Sequence, residues 1–223
     1  MKHILFIVTS NSITGTRKHK TGYEFSEIAD PYFEFIKNGM TVDFASILGG
    51  KPPYVGYDES LTNSKNFMVS SGFKRLNSSH ELDKIDITAY DAIFFPGGLG
   101  LMTDMVSDPR IKNIIRYCYE NNKVIGAVCH GPAALLNVTL STGQNLLYGK
   151  KINCFTKEEE EMDGHELNEI IPFMLYEELI KQGAIFSYTK PFEPYIVNDG
   201  NLVTGQNPAS ASNVAMKMIN LLL

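Results

Sequence analysis

Three stretches of nearly unbroken apolar residues constrain the fold of this chain more than any other feature. They cover residues 2–10, 90–95 and 123–128, and segments with helical spacing alternate with them along the chain. Strands of a parallel sheet that carries helices on both faces are buried on both sides, so they read as continuous hydrophobic runs. The sequence therefore predicts an α/β domain with a mainly parallel sheet.

The remaining predicted elements complete this alternating order. Further strands are predicted over 41–47, 150–156, 184–189 and on both sides of the Asn-Asp-Gly turn at 198–201. Helices are predicted over 23–39, 108–122, 167–182 and 209–222. Residues 48–80 are rich in Gly, Pro, Ser and Asn and predict a long surface loop. No repeat or linker divides the chain, which predicts one domain over 1–223.

Composition excludes several classes of function. The net charge is −5, the pI is about 5.6, and no Lys/Arg cluster forms a stripe, so neither a nucleic acid nor an anionic membrane is expected as a partner. The apolar first residues are too short for a membrane span and lack a signal-peptide cleavage site. Cys118, Cys129 and Cys154 are odd in number and far apart, which argues against a disulfide framework or a zinc site and favours a cytoplasmic location.

A cysteine and a histidine stand together at the end of the most apolar strand. Cys129 and His130 follow residues 123–128 and precede a helix-like run, and ligands bind at the carboxyl ends of parallel strands. A helix N-terminus behind Cys129 would lower the pKa of its thiol, and a similar sharp turn presents the nucleophile of many hydrolases. His130 is the nearest base. The alternative is that Cys129 is a small buried hydrophobe and His130 a helix-terminal residue bonded to backbone.

The turn "FPGGLG" at 95–100 is the natural partner of this site. Gly97 and Gly98 would let the backbone approach a bound group and offer N–H donors to an oxyanion. A plain tight turn explains the same residues equally well. Both turns lie at predicted carboxyl ends of strands, which is why they are considered together.

Acidic residues could complete a Cys-His-acid triad, but spacing does not select one. The run Glu158–Glu161 follows the strand predicted over 150–156, and one of its members could orient His130. Such runs are otherwise solvated helix starts. Glu27 lies in the first predicted helix and, from the residues alone, is expected at the surface.

The other histidines and cysteines do not point to a metal. Four histidines are scattered without helical or strand spacing, which disfavours a metal site; they are His3, His19, His80 and His165. Cys118 and Cys154 are expected to pack in the core.

Five motifs, in their order and spacing, make the chain resemble the DJ-1/PfpI superfamily, in the branch of the Hsp31-like proteins and glutathione-independent glyoxalases. They are "TGYEFSEIADPY", "YDAIFFPGG", "VCHGPAALL", "GKKINCFTKEEEE" and "LVTGQNPASA". The resemblance extends over nearly the whole chain. It implies a flavodoxin-like sandwich, with a mainly parallel sheet and helices on both faces, of the class I glutamine amidotransferase-like type.

The resemblance also implies roles for individual residues. It makes Cys129 the nucleophile, His130 the triad histidine and Glu27 an acid that faces the thiol and shares a proton with it. The triad acid falls five positions after the strand phenylalanine, on Glu160, with Glu159 and Glu161 as alternatives. The oxyanion and substrate-binding positions implied are Gly97, Gly98 and Gly131, together with the amide that follows the nucleophile.

The function implied is conversion of methylglyoxal, or a similar 2-oxoaldehyde, to D-lactate or the matching 2-hydroxy acid through a cysteine nucleophile. No metal, nucleotide or glutathione is required, and a homodimer is expected. Many relatives read G-G-H-G where this chain has Leu99 between Gly98 and Gly100, and this change bears on the substrate.

Other functions fit the same family. A holding chaperone would keep its activity without Cys129, a protein deglycase would use the same chemistry, and a redox sensor would oxidise the thiol to a sulfinic acid. Amidase and peptidase activities are also attributed to relatives. The complete Cys-His-Glu set favours catalysis over sensing, because a sensor needs no triad histidine.

Overall fold

A computed structural model describes all residues from 1 to 223 and contains thirteen strands and eight α-helices. The strands are β1 (His3–Val8), β2 (Ile13–Thr14), β3 (His19–Lys20), β4 (Tyr23–Glu24), β5 (Thr41–Ser46), β6 (Tyr54–Val55), β7 (His80–Glu81), β8 (Ala92–Phe95), β9 (Val124–Val128), β10 (Lys151–Ile152), β11 (Ile185–Phe186), β12 (Ile196–Asp199) and β13 (Leu202–Gly205). The helices are α1 (Ser26–Lys37), α2 (Thr62–Met68), α3 (Ser71–Leu76), α4 (Leu101–Asp104), α5 (Pro109–Glu120), α6 (Lys157–Met162), α7 (Leu175–Lys181) and α8 (Ala211–Leu222).

Seven strands form one central sheet in the order β12-β13-β9-β8-β1-β5-β7. Every neighbouring pair is parallel except β12 and β13, which are antiparallel. Asp199 pairs with Leu202 across the Asn-Asp-Gly turn, so the predicted hairpin is confirmed. The predicted mainly parallel α/β fold is confirmed as well.

Both faces of the sheet are buried, which explains the continuous apolar runs. In β1, Ile4, Phe6 and Val8 face the core that includes α1 and α8, whereas Leu5 and Ile7 face the core that includes α5 and α7. All five side chains are fully buried, and each contributes roughly 1.5–3 kcal/mol to folding. None of the eight helices combines the length and the apolar character that a bilayer crossing requires.

Several predicted elements are shorter than expected. The helix predicted over 167–182 is α-helical only at Leu175–Lys181, because Asn168 has φ +65° and Pro172 lacks an N–H group. Of the strands predicted over 150–156 and 184–189, only the short strands β10 and β11 form, and they pair with each other outside the central sheet. The loop predicted over 48–80 contains α2 and α3.

Candidate active site

Cys129 lies at the edge of the sheet where the carboxyl ends of β8 and β9 meet. These strands are parallel neighbours, and Cys129 follows the last residue of β9 with φ +58°. A residue other than glycine in this left-handed region destabilises the fold by about 1–3 kcal/mol, and interactions of the surrounding structure must offset this. The Cys129 N–H donates to the Gly205 carbonyl over 2.9 Å, and its carbonyl accepts from the Phe155 N–H over 3.0 Å. The backbone of the turn is therefore held from both sides.

The expected lowering of the Cys129 pKa by a helix N-terminus is wrong. Residues 131–135 form a 3₁₀ turn instead of an α-helix, and only 4% of the cysteine is exposed. Burial raises the pKa of the Cys129 thiol, and Glu27 raises it further when it is ionised. The thiol therefore needs a base that takes its proton during attack.

His130 is placed to be that base. Its Nδ1 lies 3.2 Å from the Cys129 sulfur, and its Nε2 donates to Glu160 Oε1 over 2.9 Å. The hydrogen bond to Glu160 fixes the ring proton on Nε2 and leaves the Nδ1 lone pair for the thiol. Burial alone would raise the pKa of Glu160, but His130 and His165 lower it to about 2. The three side chains have the geometry of a Cys-His-acid triad.

The structure distinguishes the four glutamates of the acidic run. Glu158 and Glu161 are exposed. Glu159 is buried and forms a capping box with Thr156, in which each accepts from the other's backbone N–H. Its second oxygen accepts from Asn207 and Gln206. Only Glu160 reaches His130, so the position named by the resemblance is the one that completes the geometry.

Exchanging Glu159 and Glu160 separately for glutamine should show which of the two supports the reactivity of Cys129. Glu159→Gln should lower the free energy of unfolding by about 2–4 kcal/mol, because a buried charged acceptor with several donors is lost. Glu160→Gln should also lower the free energy of unfolding, because its buried carboxylate accepts from two histidines. Of the two exchanges, only Glu160→Gln should slow alkylation of Cys129 by iodoacetamide. Urea unfolding and peptide mass spectrometry measure the two effects, with Glu158→Gln as control. Equal slowing of alkylation by both exchanges would contradict this division of roles.

The surface position expected for Glu27 from the residues alone is wrong. Helix α1 packs against the sheet with Glu27 on its inner face, and the side chain is fully buried. Its Oε2 accepts the Gly97 N–H, and Oε1 has no hydrogen-bond partner. Burial, followed by the like charge of Glu24, raises the pKa of Glu27 to about 8. A carboxyl with such a pKa can both hold and release a proton near neutral pH.

Gly97 is the point where the carboxyl and the thiol meet. A Cβ atom at this glycine would lie 2.5 Å from Glu27 Oε2 and 3.0 Å from the Cys129 sulfur, so any larger residue would push the two groups apart. The Gly97 amide is bonded to Glu27. This amide is therefore not free to stabilise an oxyanion, which is the role that the sequence predicts for Gly97.

Gly98 remains available for the predicted oxyanion role. It lines the cavity beside Cys129 and has φ +103°, which favours glycine. The amides of Gly98 and His130 donate to no other protein group. At Gly131 a Cβ atom would lie 2.8 Å from the Pro96 carbonyl oxygen, so close packing also requires glycine there, and its substrate-binding role stays a prediction.

The thiol opens into a cavity of about 170 Å³, a size that suits a molecule of a few non-hydrogen atoms. Leu99 is part of its wall, together with Glu24. The β2–β3 hairpin covers one side and contributes His19 and Lys20. This hairpin is fastened to the segment after α6 by ion pairs of Arg17, one of them 3.0 Å from Glu166 Oε2.

His165 belongs to the site although the sequence did not place it there. Its Nδ1 donates to Glu160 Oε2 over 2.6 Å, and the ring lines the cavity. The possible ligand atoms of His130, Glu160 and His165 lie within 4.8 Å of one another. Two imidazoles and a carboxylate are also a set that can bind Zn²⁺, but here these atoms hydrogen-bond to one another.

The chain is similar over most of its length to a known family and to proteins of known structure. The pattern of the DJ-1/PfpI family matches residues 19–221. The glutathione-independent glyoxalase HSP31 of Saccharomyces cerevisiae is 31% identical over 235 residues, covering 99% of this chain and 98% of the relative. The crystal structure of Rapid Encystment Protein 24 kDa from Francisella tularensis superimposes with a TM-score of 0.94 at 33% identity, covering 100% of both chains. Glyoxalase III of Candida albicans gives a TM-score of 0.88 at 27% identity, covering 99% of this chain and 97% of that one.

Proposed function

The chain belongs to the DJ-1/PfpI family, and on that basis we propose that it is a glutathione-independent glyoxalase. Its substrate would be methylglyoxal or a similar small 2-oxoaldehyde, and its product the corresponding 2-hydroxy acid. One observation carries the proposal above the others. A buried thiol with His130 and Glu160 on one side and Glu27 on the other lies at the wall of a small cavity.

The reaction begins with the thiol. The Cys129 sulfur attacks the aldehyde carbon while His130 Nδ1, at 3.2 Å, takes the thiol proton. The free amides of Gly98 and His130 stabilise the negative oxygen. His130 then returns the proton to that oxygen, which gives a neutral hemithioacetal.

Glu27 is the base for the next step. Both ring nitrogens of His130 are engaged, by the sulfur and by Glu160, whereas Glu27 Oε1 has no partner. Ionised Glu27 removes the hydrogen of the former aldehyde carbon, and the electron pair forms an enediolate. A proton added to the neighbouring carbon gives a thioester, and water releases the hydroxy acid and restores the thiol. The sequence is an internal oxidation and reduction, so no outside oxidant or reductant enters it.

The overall class of enzyme follows from this chemistry. The release of D-lactate from methylglyoxal would place the protein among the lyases of the glyoxalase III type. A hydrolase activity toward glycated thiols or amines would pass through the same thioester.

The direct test is D-lactate formation from methylglyoxal by the reduced protein, followed with a stereospecific lactate dehydrogenase. We expect turnover without glutathione. Added glutathione should change the rate only by binding part of the free aldehyde and so lowering its concentration. Heat-unfolded protein at equal concentration controls for uncatalysed thiol chemistry. No D-lactate from protein whose thiols are shown to be reduced would refute the proposal and favour the chaperone or sensor functions.

A further inference from the structure

We propose that His165 is a second general acid–base residue that faces the substrate, and that Glu160 orients two imidazoles instead of one. This inference rests on the proposed glyoxalase function and adds a catalytic residue to it. It arises from a part of the site that the triad does not use, namely the second oxygen of Glu160.

Glu160 uses each oxygen for a different ring. Oε1 accepts from His130 Nε2 over 2.9 Å, and Oε2 accepts from His165 Nδ1 over 2.6 Å. The two rings lie 6.1 Å apart between centroids. An orienting carboxylate fixes the proton of each ring on the bonded nitrogen. His130 therefore presents Nδ1 to the sulfur, and His165 is left with Nε2 for other chemistry.

The Nε2 atom of His165 is available to a bound molecule. It has no hydrogen-bond partner within the protein, 18% of the side chain is exposed, and the ring lines the same cavity as Cys129. His130, by contrast, is buried with both nitrogens occupied. His165 is thus the imidazole of the pair that can exchange a proton with solvent or substrate.

The local chain conformation makes this arrangement rigid. Helix α6 ends at Met162, and Gly164, with φ +69°, turns the chain back toward the helix. The His165 N–H then donates to the Glu160 carbonyl over 2.9 Å. Backbone and side chain of His165 are both tied to Glu160, which holds the ring in place before a substrate arrives.

The step that needs such a group is the protonation of the enediolate. Glu27 takes the hydrogen from the former aldehyde carbon, and protonated His165 gives the Nε2 proton to the neighbouring carbon. The hydroxyl proton moves between the two substrate oxygens, which completes the thioester. Glu27 then holds one proton more and His165 one fewer, and water in the open cavity restores both.

Two substitutions separate this role from a structural one. In His165→Asn the amide N–H can replace Nδ1–H as donor to Glu160 but cannot carry a proton, whereas His165→Leu removes both functions. We expect His165→Asn to lower kcat for methylglyoxal about 10²-fold, while the rate of Cys129 alkylation by iodoacetamide stays at the wild-type value. His165→Leu should lower both rates. His80→Asn, at an exposed position on β7, is the matched control.

An isotope measurement tests directly whether His165 donates the proton to the substrate carbon. In D₂O, the wild-type product should carry deuterium on the carbon that was the ketone of methylglyoxal, because His165 exchanges with solvent. In His165→Asn the residual turnover should transfer more of the original aldehyde hydrogen to that carbon, as read by proton NMR of the lactate.

The outcomes distinguish this inference from the function on which it rests. Wild-type kcat in His165→Asn, or loss of Cys129 alkylation in that variant, would show that His165 only supports Glu160 and would overturn the inference alone. A wild-type protein without turnover would overturn the glyoxalase function, and the role of His165 would fall with it.

Discussion

Cys129→Ala should abolish D-lactate formation, lowering kcat by a factor on the order of 10⁴ or more. The effect is large because the sulfur forms the bond on which all later steps depend, and no other thiol can replace it. Cys118 and Cys154 are fully buried in the core, as the sequence predicted. The measurement is steady-state turnover of methylglyoxal, with residual rates compared with the heat-unfolded protein.

Cys118→Ala is the matched control for this substitution. Cys118 packs on the inner face of α5 in the core that also contains α7, so its loss should cost stability and leave kcat unchanged. Thermal unfolding of both variants shows whether each is folded at the assay temperature. Turnover in Cys129→Ala near the wild-type rate, with the variant folded, would contradict covalent catalysis by this residue.

Glu27→Gln should lower kcat by about 10²–10⁴-fold, because an amide of the same shape can accept the Gly97 N–H but cannot take a proton from carbon. Since Cys129 and His130 are untouched, the hemithioacetal should still form. The variant should therefore bind methylglyoxal at Cys129 without releasing lactate. Rapid quenching and intact-protein mass spectrometry would detect this, and full turnover in the variant would exclude Glu27 as the base.

Glu27→Gln should also be more stable than the wild type, by an amount that grows as the pH rises toward 8. Burial raises the pKa of Glu27 from 4.5 to about 8, so the folded state keeps a proton that the unfolded state releases between these values. The free energy of unfolding of the wild type therefore falls by roughly 1.4 kcal/mol per pH unit from about pH 5 to about pH 8 through this group. Glu27→Gln removes this slope, and its unfolding temperature should exceed that of the wild type increasingly toward pH 8.

Glu34→Gln controls for the change of charge on the same helix at a half-buried position, and it should not alter the pH dependence. A difference between wild type and Glu27→Gln that stays constant from pH 5 to pH 8 would contradict the burial of an uncharged Glu27. The prediction also describes a cost of function, because the carboxyl that serves the reaction destabilises the fold at neutral pH.

The sheet could be predicted from the sequence because its strands are buried on both faces. The runs that became β1, β8 and β9 needed only their own residues to be recognised, and the turn at Cys129 follows from its place behind β9. The short pairs β10–β11 and β4–β6 were not predictable in this way. They are two residues long and depend on which segments the fold brings side by side.

The positions of the acidic side chains could be predicted only in part from the sequence. Thr156 and Glu159 have the spacing of a capping box, and recognising it would have removed Glu159 from the candidates for the triad. Glu27 carried no local signal of burial, since its environment is made by Gly97 and Cys129 from distant strands. His165 was missed because its partner Glu160 lies across a turn that depends on Gly164, not at a helical or strand spacing.

The central claim, that 2-oxoaldehyde is converted while bound to Cys129, is tested most directly by trapping the intermediate. The protein is mixed with methylglyoxal and quenched in acid during turnover, and the peptide that contains Cys129 is analysed by mass spectrometry with and without hydroxylamine, which cleaves thioesters. We predict that this peptide carries the mass of one methylglyoxal, and that hydroxylamine removes it as the lactic hydroxamate. Continued D-lactate production with Cys129 unmodified throughout would contradict the account.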